Sequence, residues 1–394
     1  MYKGRLSDLS SYVSEKIPVA ALTDQTYIGV DNMLSNRGGV KPSEYVPEAG
    51  LVTKFEQGDI LLGNIRPYFK KIWLTEFDGG CSPDVLVIRP KHGVSSKFLY
   101  AYLSTDGFFD YDMKGAKGSK MPRGDKDHIM RYEITIPDAQ EKIGSFIINI
   151  NEKITNNDAI CADLEGMAKL LYDYWFVQFD FPDENGKPYK SSGGKMVWNE
   201  ELKREIPEGW EVVSLGTQFS ITMGTSPEGK SINENEEGVP FYQGKTDFGF
   251  RFPAVRTYTT TPIRYAYRGD TLLSVRAPVG ALNRAIETCC IGRGVASIHA
   301  DEFPSYAYYT SLSLRPRFEK YNGDGTTFGC IGRDDLFAIP SVKPERSLIE
   351  KFEKITRQID AKIENAEMEN AELASLRDFL LPMLMNGQVK VKGA

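Results

Sequence analysis

The sequence predicts an α+β protein in which two similar mixed domains, leaning towards β, are separated by two long antiparallel helices. Three observations carry this prediction. Two segments, which begin near Pro137 and near Pro344, have the apolar periodicity of long amphipathic helices. The block that precedes each helix contains short alternating patterns typical of strands. The two blocks also resemble one another at an interval of about 210 residues, which indicates an internal duplication with a pseudo-two-fold relation.

The helical segments run from Pro137 to Trp175 and from Pro344 to Leu384. Apolar residues recur in them at steps of three and four: Ile143, Phe146, Ile150, Ile154, Cys161, Leu164, Ala168, Leu171 and Trp175, then Phe352, Ile355, Ile359, Ile363, Ala366, Leu373, Leu376, Leu380 and Leu384. A narrow stripe of this kind is buried against one other helix, so we expect the two copies to form a coiled-coil spacer. At about 1.5 Å per residue, each would be roughly 57 Å long. The alternative is an amphipathic helix that lies on one domain.

The start of each helix carries a second signal. Asp138 with Glu141, and Ser347 with Glu350, have the spacing of a capping box, in which two side chains satisfy the first free backbone N–H groups. We therefore expect both helices to begin at these pairs.

The duplication is clearest in two segments, QGDILLGNIRP at residues 57–67 and RGDTLLSVRAP at residues 268–278. Each Gly-Asp pair predicts a turn before a strand. Helical turns are predicted for residues 95–104 and 303–313. Further matches follow in the same order, namely Cys81 with Cys290, Gly118 with Gly325, and Phe146 with Phe352.

Composition sets the broad class. The 394 residues, 41% hydrophobic and 26% charged, suit two or three well-cored domains. No apolar run has membrane-spanning length and no signal peptide opens the chain, so a cytoplasmic protein without a membrane partner is expected. Five cysteines without a C-x-x-C pattern fit a reducing compartment, and three scattered histidines predict no metal site.

The charge distribution leaves room for a nucleic-acid partner. The net charge of −6 argues against one at first. However, ten of the thirteen cations between residues 210 and 340 are arginines. Arginine presents a planar fork that hydrogen-bonds to phosphates and to base edges. The predominance of arginine among these cations therefore favours a nucleic-acid partner.

Signatures of catalysis are missing. The chain contains no phosphate-binding loop, no dinucleotide-binding turn, no H-E-x-x-H, no G-x-S-x-G and no amino-methyltransferase tetrapeptide. Asp183, Glu201 and Lys203 match a loose nuclease pattern that would hold Mg²⁺, but they lie in a Gly-, Lys- and Pro-rich segment that reads as an exposed connector. No catalytic residue is therefore predicted, and the remaining functional class is recognition of another molecule.

The chain resembles a specificity subunit of a type I restriction-modification system. The residues that carry the resemblance cover nearly the whole chain. They are the two Gly-Asp segments above, residues 172–182 and 186–197 at the end of the first helix and in the segment that follows it, IPEGW at 206–210, residues 325–344, and the terminal LRDFLLPMLMNGQV at 376–389. One departure is the short lead-in MYKGRLSDLS, which suggests a trimmed or alternative start and a first edge strand unlike that of the second domain.

The resemblance implies a non-catalytic subunit that reads a bipartite DNA target. It implies recognition domains at residues 1–137 and 210–341, conserved helices at 138–178 and 342–394, and a connector at 179–209. It further implies double-stranded DNA, two modification (methyltransferase) subunits and restriction (translocase and nuclease) subunits as partners. S-adenosylmethionine, ATP and Mg²⁺ are expected in those partner subunits, and no cofactor in this chain.

The predicted DNA contacts lie in polar loops and basic clusters of both domains, where solvated loops and structural salt bridges are the alternatives. They are Arg66, Tyr68, Lys70, Lys71, Lys117, Ser119, Lys120, Arg123, Lys245, Arg276, Arg284, Arg293, Thr326, Thr327 and Arg333. The predicted partner contacts are apolar residues that crowd the helix ends. They are Tyr172, Tyr174, Trp175, Phe176, Phe379 and Leu381. Two other functions stay open: an autonomous DNA-modifying enzyme, and a coiled-coil adaptor that does not touch DNA.

Overall fold

The structure, a computed structural model, describes residues 2–323, 329–385 and 388–389 of the chain. It divides into two compact units, Met1–Asn157 with Glu369–Ala394, and Asp158–Met368. Each unit combines one copy of the duplicated domain with one part of each long helix. The predicted fold class, two mixed domains with long helices, is confirmed.

The described residues of the first unit form ten strands, which make two four-stranded sheets, β2-β9-β6-β7 and β3-β5-β8-β4, and the pair β1-β10. The strands are β1 Tyr2–Arg5, β2 Ser10–Tyr12, β3 Lys16–Pro18, β4 Tyr27–Ile28, β5 Leu51–Phe55, β6 Ile60–Gly63, β7 Ile72–Leu74, β8 Gly79–Cys81, β9 Val85–Pro90 and β10 Glu133–Ile136. The helices are α1 Leu6–Leu9, α2 Ser96–Leu103, α3 Asp106–Gly115, α4 Lys126–Met130 and the start of α5 Gln140–Tyr172.

Polar side chains fix the helix starts of this unit. Ser95, Thr105 and Asp125 each accept hydrogen bonds from backbone N–H groups in the first turn of α2, α3 and α4. Such caps satisfy donors that have no partner inside the helix. The helices then bury their apolar faces on the sheet β2-β9-β6-β7, in a core that also takes in Ile143 and Leu381 of the two long helices.

The second unit repeats this arrangement with the sheets β14-β22-β19-β20 and β15-β17-β16-β21-β18 and the pairs β13-β23 and β11-β12. Its strands are β11 Met196–Asn199, β12 Arg204–Pro207, β13 Glu211–Ser214, β14 Ser220–Met223, β15 Ile232–Asn233, β16 Val239–Tyr242, β17 Tyr258–Thr259, β18 Tyr265–Ala266, β19 Thr271–Ser274, β20 Leu282–Arg284, β21 Cys289–Ile291, β22 Val295–His299 and β23 Pro340–Lys343. Its helices are α6 Leu215–Gln218, α7 Pro304–Glu319, α8 Arg333–Ala338 and α9 Arg346–Met385, of which α9 continues into the first unit.

Strand registers establish the duplication at the level of residues. In the first unit β4 runs parallel to β8 and pairs Tyr27 with Gly80. In the second unit β16 runs parallel to β21 and pairs Phe241 with Cys290. The outermost pairs, β1 with β10 and β13 with β23, are both antiparallel. The first edge strand therefore has the same pairing as the second, contrary to the expectation drawn from the short lead-in.

The long helices α5 and α9 run antiparallel within each unit. In the first unit the Arg377 guanidinium donates to Asn151 over 3.0 Å, and Asn157 donates to Glu369 over 2.8 Å. In the second unit the Cys161 thiol lies 3.9 Å from the carbonyl oxygen of Ile363. Because a buried amide must find partners, Asn157 favours one register of the helix pair.

The expected start of the second long helix was wrong. Helix α9 begins at Arg346, so Ser347 lies inside the first turn, and Glu350 pairs with the Arg346 guanidinium at 3.0 Å. Glu141 of α5 accepts a hydrogen bond from the Ser95 hydroxyl. The connector is exposed or half-buried from residue 183 to residue 205, as expected, and its ends are anchored by Phe179 and Ile206, which are buried in the core of the second unit.

Candidate nucleic-acid interface

The structure brings two predicted loops of the first unit together. The loop between β6 and β7 contains Arg66, whose backbone N–H donates to the carbonyl of Pro122 over 2.7 Å. Ile65 and Arg123 form a β-bridge beside this contact, and Lys117 and Arg123 exchange two backbone hydrogen bonds of 2.9 Å. The cationic residues of the two loops therefore share one surface.

The cations of that surface differ in whether they already form ion pairs with acidic side chains of the chain. Lys117 pairs with Asp125 at 2.5 Å, and Arg123 pairs with Asp84 at 3.1 Å. Lys70 pairs at 2.7 Å with Asp106, and the hydrogen bonds from Lys70 and Arg37 lower the pKa of that carboxyl to about 2. Tyr68, Ser119 and Lys120 are exposed.

Arg66 and Lys71 are half-buried and face a cleft. Lys71 donates to the carbonyl of Val30 over 2.6 Å, and burial lowers the pKa of its ammonium group. Arg66 adopts a left-handed backbone conformation with φ of 52°, which is uncommon for a residue with a side chain. Its Nε is buried and has no hydrogen-bond partner among the described residues. Strained backbone and unsatisfied donors of this kind gather at binding sites.

This first cleft has a volume of about 670 Å³. Charged residues of both signs line it, together with polar and apolar groups. The charged residues are Asp31, Lys41, Glu44, Arg66, Lys71 and Asp84, and Met121 of the second loop lies at its edge.

An equivalent cleft of about 480 Å³ lies in the second unit. Arg276 forms a β-bridge with Cys330, as Ile65 does with Arg123, and the N–H of Ala277 donates to Gly329 over 3.0 Å. The loop after β16 supplies Gln243 and Lys245, and the turn before β22 supplies Arg293. Lys245, Arg276 and Arg293 are all exposed, and none forms an ion pair within the described ranges.

Not every predicted contact is free to meet DNA. Arg284 is buried and forms an ion pair with Asp360 of α9, so it serves the interior of the second unit. Arg333 is exposed, and its guanidinium lies 5.0 Å from the ring of Phe337. Thr326 and Thr327 lie outside the described residues.

Sequence reasoning missed several residues of the clefts. Asp31, Lys41, Glu44 and Asp84 in the first unit, and Gln243 in the second, were not predicted. The search for basic clusters passed over acidic residues, and the loops after β4 and β16 have no obvious sequence similarity. The common feature is topological, because each loop follows the strand that runs parallel to β8 or β21.

The structure also sorts the predicted partner contacts. Four of them, Tyr172, Trp175, Phe176 and Leu381, are buried in the cores of the two units and offer no apolar surface for docking. Tyr174 and Phe379 remain exposed, at 37% and 63%. In the second unit, three further exposed apolar residues lie on one face of α5, and Tyr174 lies in the π-helical turn Asp173–Val177 that follows α5. The three residues are Ile160, Met167 and Leu170.

The loose nuclease pattern does not form a site in the described residues. Asp183 accepts backbone hydrogen bonds of 2.8 Å from Asn185 and Lys187 in its own turn, and Lys203 pairs with Glu200 at 2.9 Å. Within residues 2–323, 329–385 and 388–389, no three His, Cys, Asp or Glu side chains converge as metal ligands. In the same ranges no helix is both long enough and apolar enough to cross a membrane.

No protein-family model matches the sequence. A putative type I restriction enzyme specificity subunit of Methanocaldococcus jannaschii is 38% identical over 195 residues, which are 48% of this chain and 45% of that protein. The match spans less than half of the length of that relative. A type I restriction enzyme specificity subunit of Haemophilus influenzae is 23% identical, over 98% of both chains.

Among solved structures, the S subunit of a type I restriction-modification system from M. genitalium superimposes with a TM-score of 0.62. The alignment covers 99% of this chain and 96% of that one at 16% identity, and it therefore shows a common fold. In sequence along nearly its whole length, and in this fold, the chain is similar to specificity subunits of type I restriction-modification systems.

Proposed function

We propose that this chain is the DNA-reading subunit of a type I restriction-modification complex, in which each recognition domain contacts one half of a bipartite target. The observation that supports this most directly is the pair of equivalent clefts, one per repeat, each beside cationic loops. Two similar readers on one chain suit a target with two half-sites. The loops GAKGSKMPRG and NGDGTTFGCIG differ in sequence, so we expect the half-sites to differ as well.

The chemistry is proposed to belong to partner subunits. The chain has no motif for methyl transfer, nucleotide hydrolysis or strand cleavage. We expect S-adenosylmethionine to bind two modification subunits, and ATP and Mg²⁺ to act in restriction subunits. The chain itself supplies DNA recognition and a scaffold.

The helix pair is proposed to set the gap between the half-sites. Each helix contributes to the core of both units, through Ile143 and Leu381 in the first and through Ala168 and Phe352 in the second. A helix of about 40 residues has a length of roughly 60 Å, which corresponds to between one and two turns of DNA.

Modification subunits are proposed to dock on the exposed apolar residues of the helices. Ile160, Met167 and Leu170 lie on one face of α5, because these positions fall within about 80° of one another around a helix, and Tyr174 lies in the turn that follows α5. On α9 the side chain of Phe379 is 63% exposed. In proteins that assemble into complexes, a partner subunit covers exposed apolar stripes of this kind.

The proposal is tested by assembling the full chain with its modification subunits and measuring DNA binding and methylation. Sequencing of modified bases in a host that carries these genes should reveal one bipartite motif, which disappears when the gene for this chain is deleted. Binding to that motif should weaken steeply as salt rises, since phosphate contacts release counterions. An unchanged methylation pattern after deletion, or methyl transfer by this chain alone, would contradict the proposal. A salt-independent association with proteins only would favour the adaptor.

A further inference from the structure

We infer that the two clefts read opposite hydrogen-bonding groups of the bases. The cleft of the second unit reads the acceptor edge of a guanine, whereas the cleft of the first unit reads an exocyclic amino group of cytosine or adenine. This inference rests on the proposed function and deepens it, because it says which base chemistry each recognition domain selects.

The two clefts occupy the same place in the duplicated fold, so their linings can be compared. In the first unit the N–H of Ser82 donates to Ile28 over 2.9 Å, and in the second the N–H of Gly292 donates to Tyr242 over 2.8 Å. Each contact ties the end of the parallel strand to the turn that leads into the next strand. On the opposite wall, Ile65 and Arg276 occupy equivalent β-bridges.

The described residues that line the second cleft include three cations and no carboxylate. Lys245, Arg276 and Arg293 are exposed, and none is paired with an acidic side chain of the described ranges. Gln243 adds an amide at the same edge. Guanine presents two acceptors, O6 and N7, in the major groove, and an arginine fork matches both at once. A cleft whose charged groups only donate is suited to that edge and poorly suited to an amino group.

The first cleft has the opposite balance, because its own contacts neutralise part of its positive charge. Lys41 pairs with Glu44 at 2.6 Å, and Lys71 is held by the carbonyl of Val30. Asp31 faces the cleft without an ion pair among the described residues. Asp84 also lines it and shares its charge with Arg123 at 3.1 Å.

Carboxylates in a DNA-binding cleft need an explanation, since they repel the phosphate backbone. A carboxylate accepts a hydrogen bond from the N4 amino group of cytosine, and an amino group of adenine offers the same donor. The same carboxylate rejects the O6 and N7 acceptors of guanine. Asp31 and Asp84 therefore act as specificity-determining residues.

The test uses the full chain assembled with its modification subunits and a duplex that carries the motif found by sequencing modified bases. Arg276→Lys and Arg293→Lys keep the charge but lose the fork. We expect each to reduce affinity for the motif by roughly 10- to 100-fold, to relax the preference for guanine at one position of one half-site, and to leave binding to random duplex unchanged. Replacement of that guanine by 7-deazaguanine, which lacks N7, should weaken the wild-type complex only in this half-site.

Asp31→Asn tests the other cleft. We expect it to shift or relax the preference at one position of the other half-site, and base analogues without the exocyclic amino group should reproduce the loss there. Lys187→Ala, an exposed cation in the connector, serves as the matched control and should bind the motif as the wild type does.

Two results would overturn the inference while leaving the proposed function intact. One is a half-site for the second unit that contains no G·C pair. The other is a set of arginine and aspartate variants that weaken all duplexes equally, as phosphate contacts do. Failure of the wild-type complex to prefer any sequence would instead refute the proposed function, and the inference with it.

Discussion

Arg251 links the second recognition domain to both long helices in the interior of the second unit. Its guanidinium pairs with Asp360 of α9 at 2.9 Å and lies 3.6 Å from Glu165 of α5. It also donates to the hydroxyl of Tyr309 over 3.0 Å and lies 4.1 Å above the ring of Tyr308. A planar fork with several fixed partners holds a domain in one orientation on its support.

Replacement of Arg251 should therefore destabilise the second unit strongly. Arg251→Met leaves Glu165 with only the hydroxyl of Tyr308 among the described residues and removes one of the two arginines that pair with Asp360. The loss of one member of a buried pair costs about 3–5 kcal/mol. Urea unfolding of the purified chain measures the change. Arg256→Met, at an exposed site nearby, is the control and should shift the free energy of unfolding by less than about 0.5 kcal/mol. Equal stability of the two variants would show that the buried pair is dispensable.

Asp112 gives the first unit a dependence on pH. Both of its carboxyl oxygens are buried without a hydrogen-bond partner among the described residues, and burial raises its pKa from 3.8 to about 7. The native state therefore favours the neutral form. The resulting contribution to stability is fully present below about pH 3.8 and is lost as the pH rises through about 7.

Asp112→Asn should remove this dependence. The amide is neutral at every pH and has nearly the same shape, so the variant should gain on the wild type by a few kcal/mol, on the order of the pKa shift, between pH 5 and pH 8. Denaturant unfolding at the two pH values measures the difference. If the stability gap between variant and wild type did not change with pH, the carboxyl would not titrate as described.

At the scale of elements, the sequence predicts the helices well and the side-chain roles poorly. Periodicity identifies α5 and α9 because burial against a partner repeats every three to four residues. Nothing in the sequence shows that Arg284 faces Asp360, since the two are far apart along the chain and meet only after folding. The same holds for the acidic lining of the first cleft, which a search for cations passes over.

The apolar stripe of α5 provides a prediction about assembly. Met167→Asp and Leu170→Asp place charges on the stripe and should abolish or greatly weaken binding of a modification subunit, as measured by sedimentation of the mixed proteins. The fold should persist, because the side chains are 61% and 67% exposed. Ala162→Asp is the matched control, since Ala162 is exposed and lies about 140° around the helix from Met167, outside the arc that Ile160, Met167 and Leu170 occupy. Assembly that survives the first two substitutions would place the docking surface elsewhere.

At the scale of the whole molecule, the duplication was the strongest signal in the sequence. It correctly matched the strands of the two domains, yet it aligned Cys81 with Cys290, whereas the strand registers show Gly80 to be the counterpart of Cys290. A shift of one residue in a strand turns the other set of side chains towards a given face. The architecture can therefore be predicted from the internal repeat. The side chains that line each cleft become apparent only in the structure.

A longer helix pair should widen the gap in the DNA target. One heptad inserted after Asn157 and another after Met368 falls at the boundaries of the two units and preserves the contact of Asn157 with Glu369. Seven residues add about 10.5 Å, or roughly three base pairs, and nearly preserve the phase of the apolar seam. Sequencing of modified bases should report unchanged half-sites with a longer gap. An insertion in one helix alone, the control, should disrupt the pairing.

The most direct test of independent reading is the exchange of residues 210–341 for the corresponding domain of another specificity subunit, followed by sequencing of modified bases in a host that carries the complex. The account predicts that one half-site changes to that of the donor, while the other half-site and the gap remain as in the wild type. A change in both half-sites, or in neither, would contradict it.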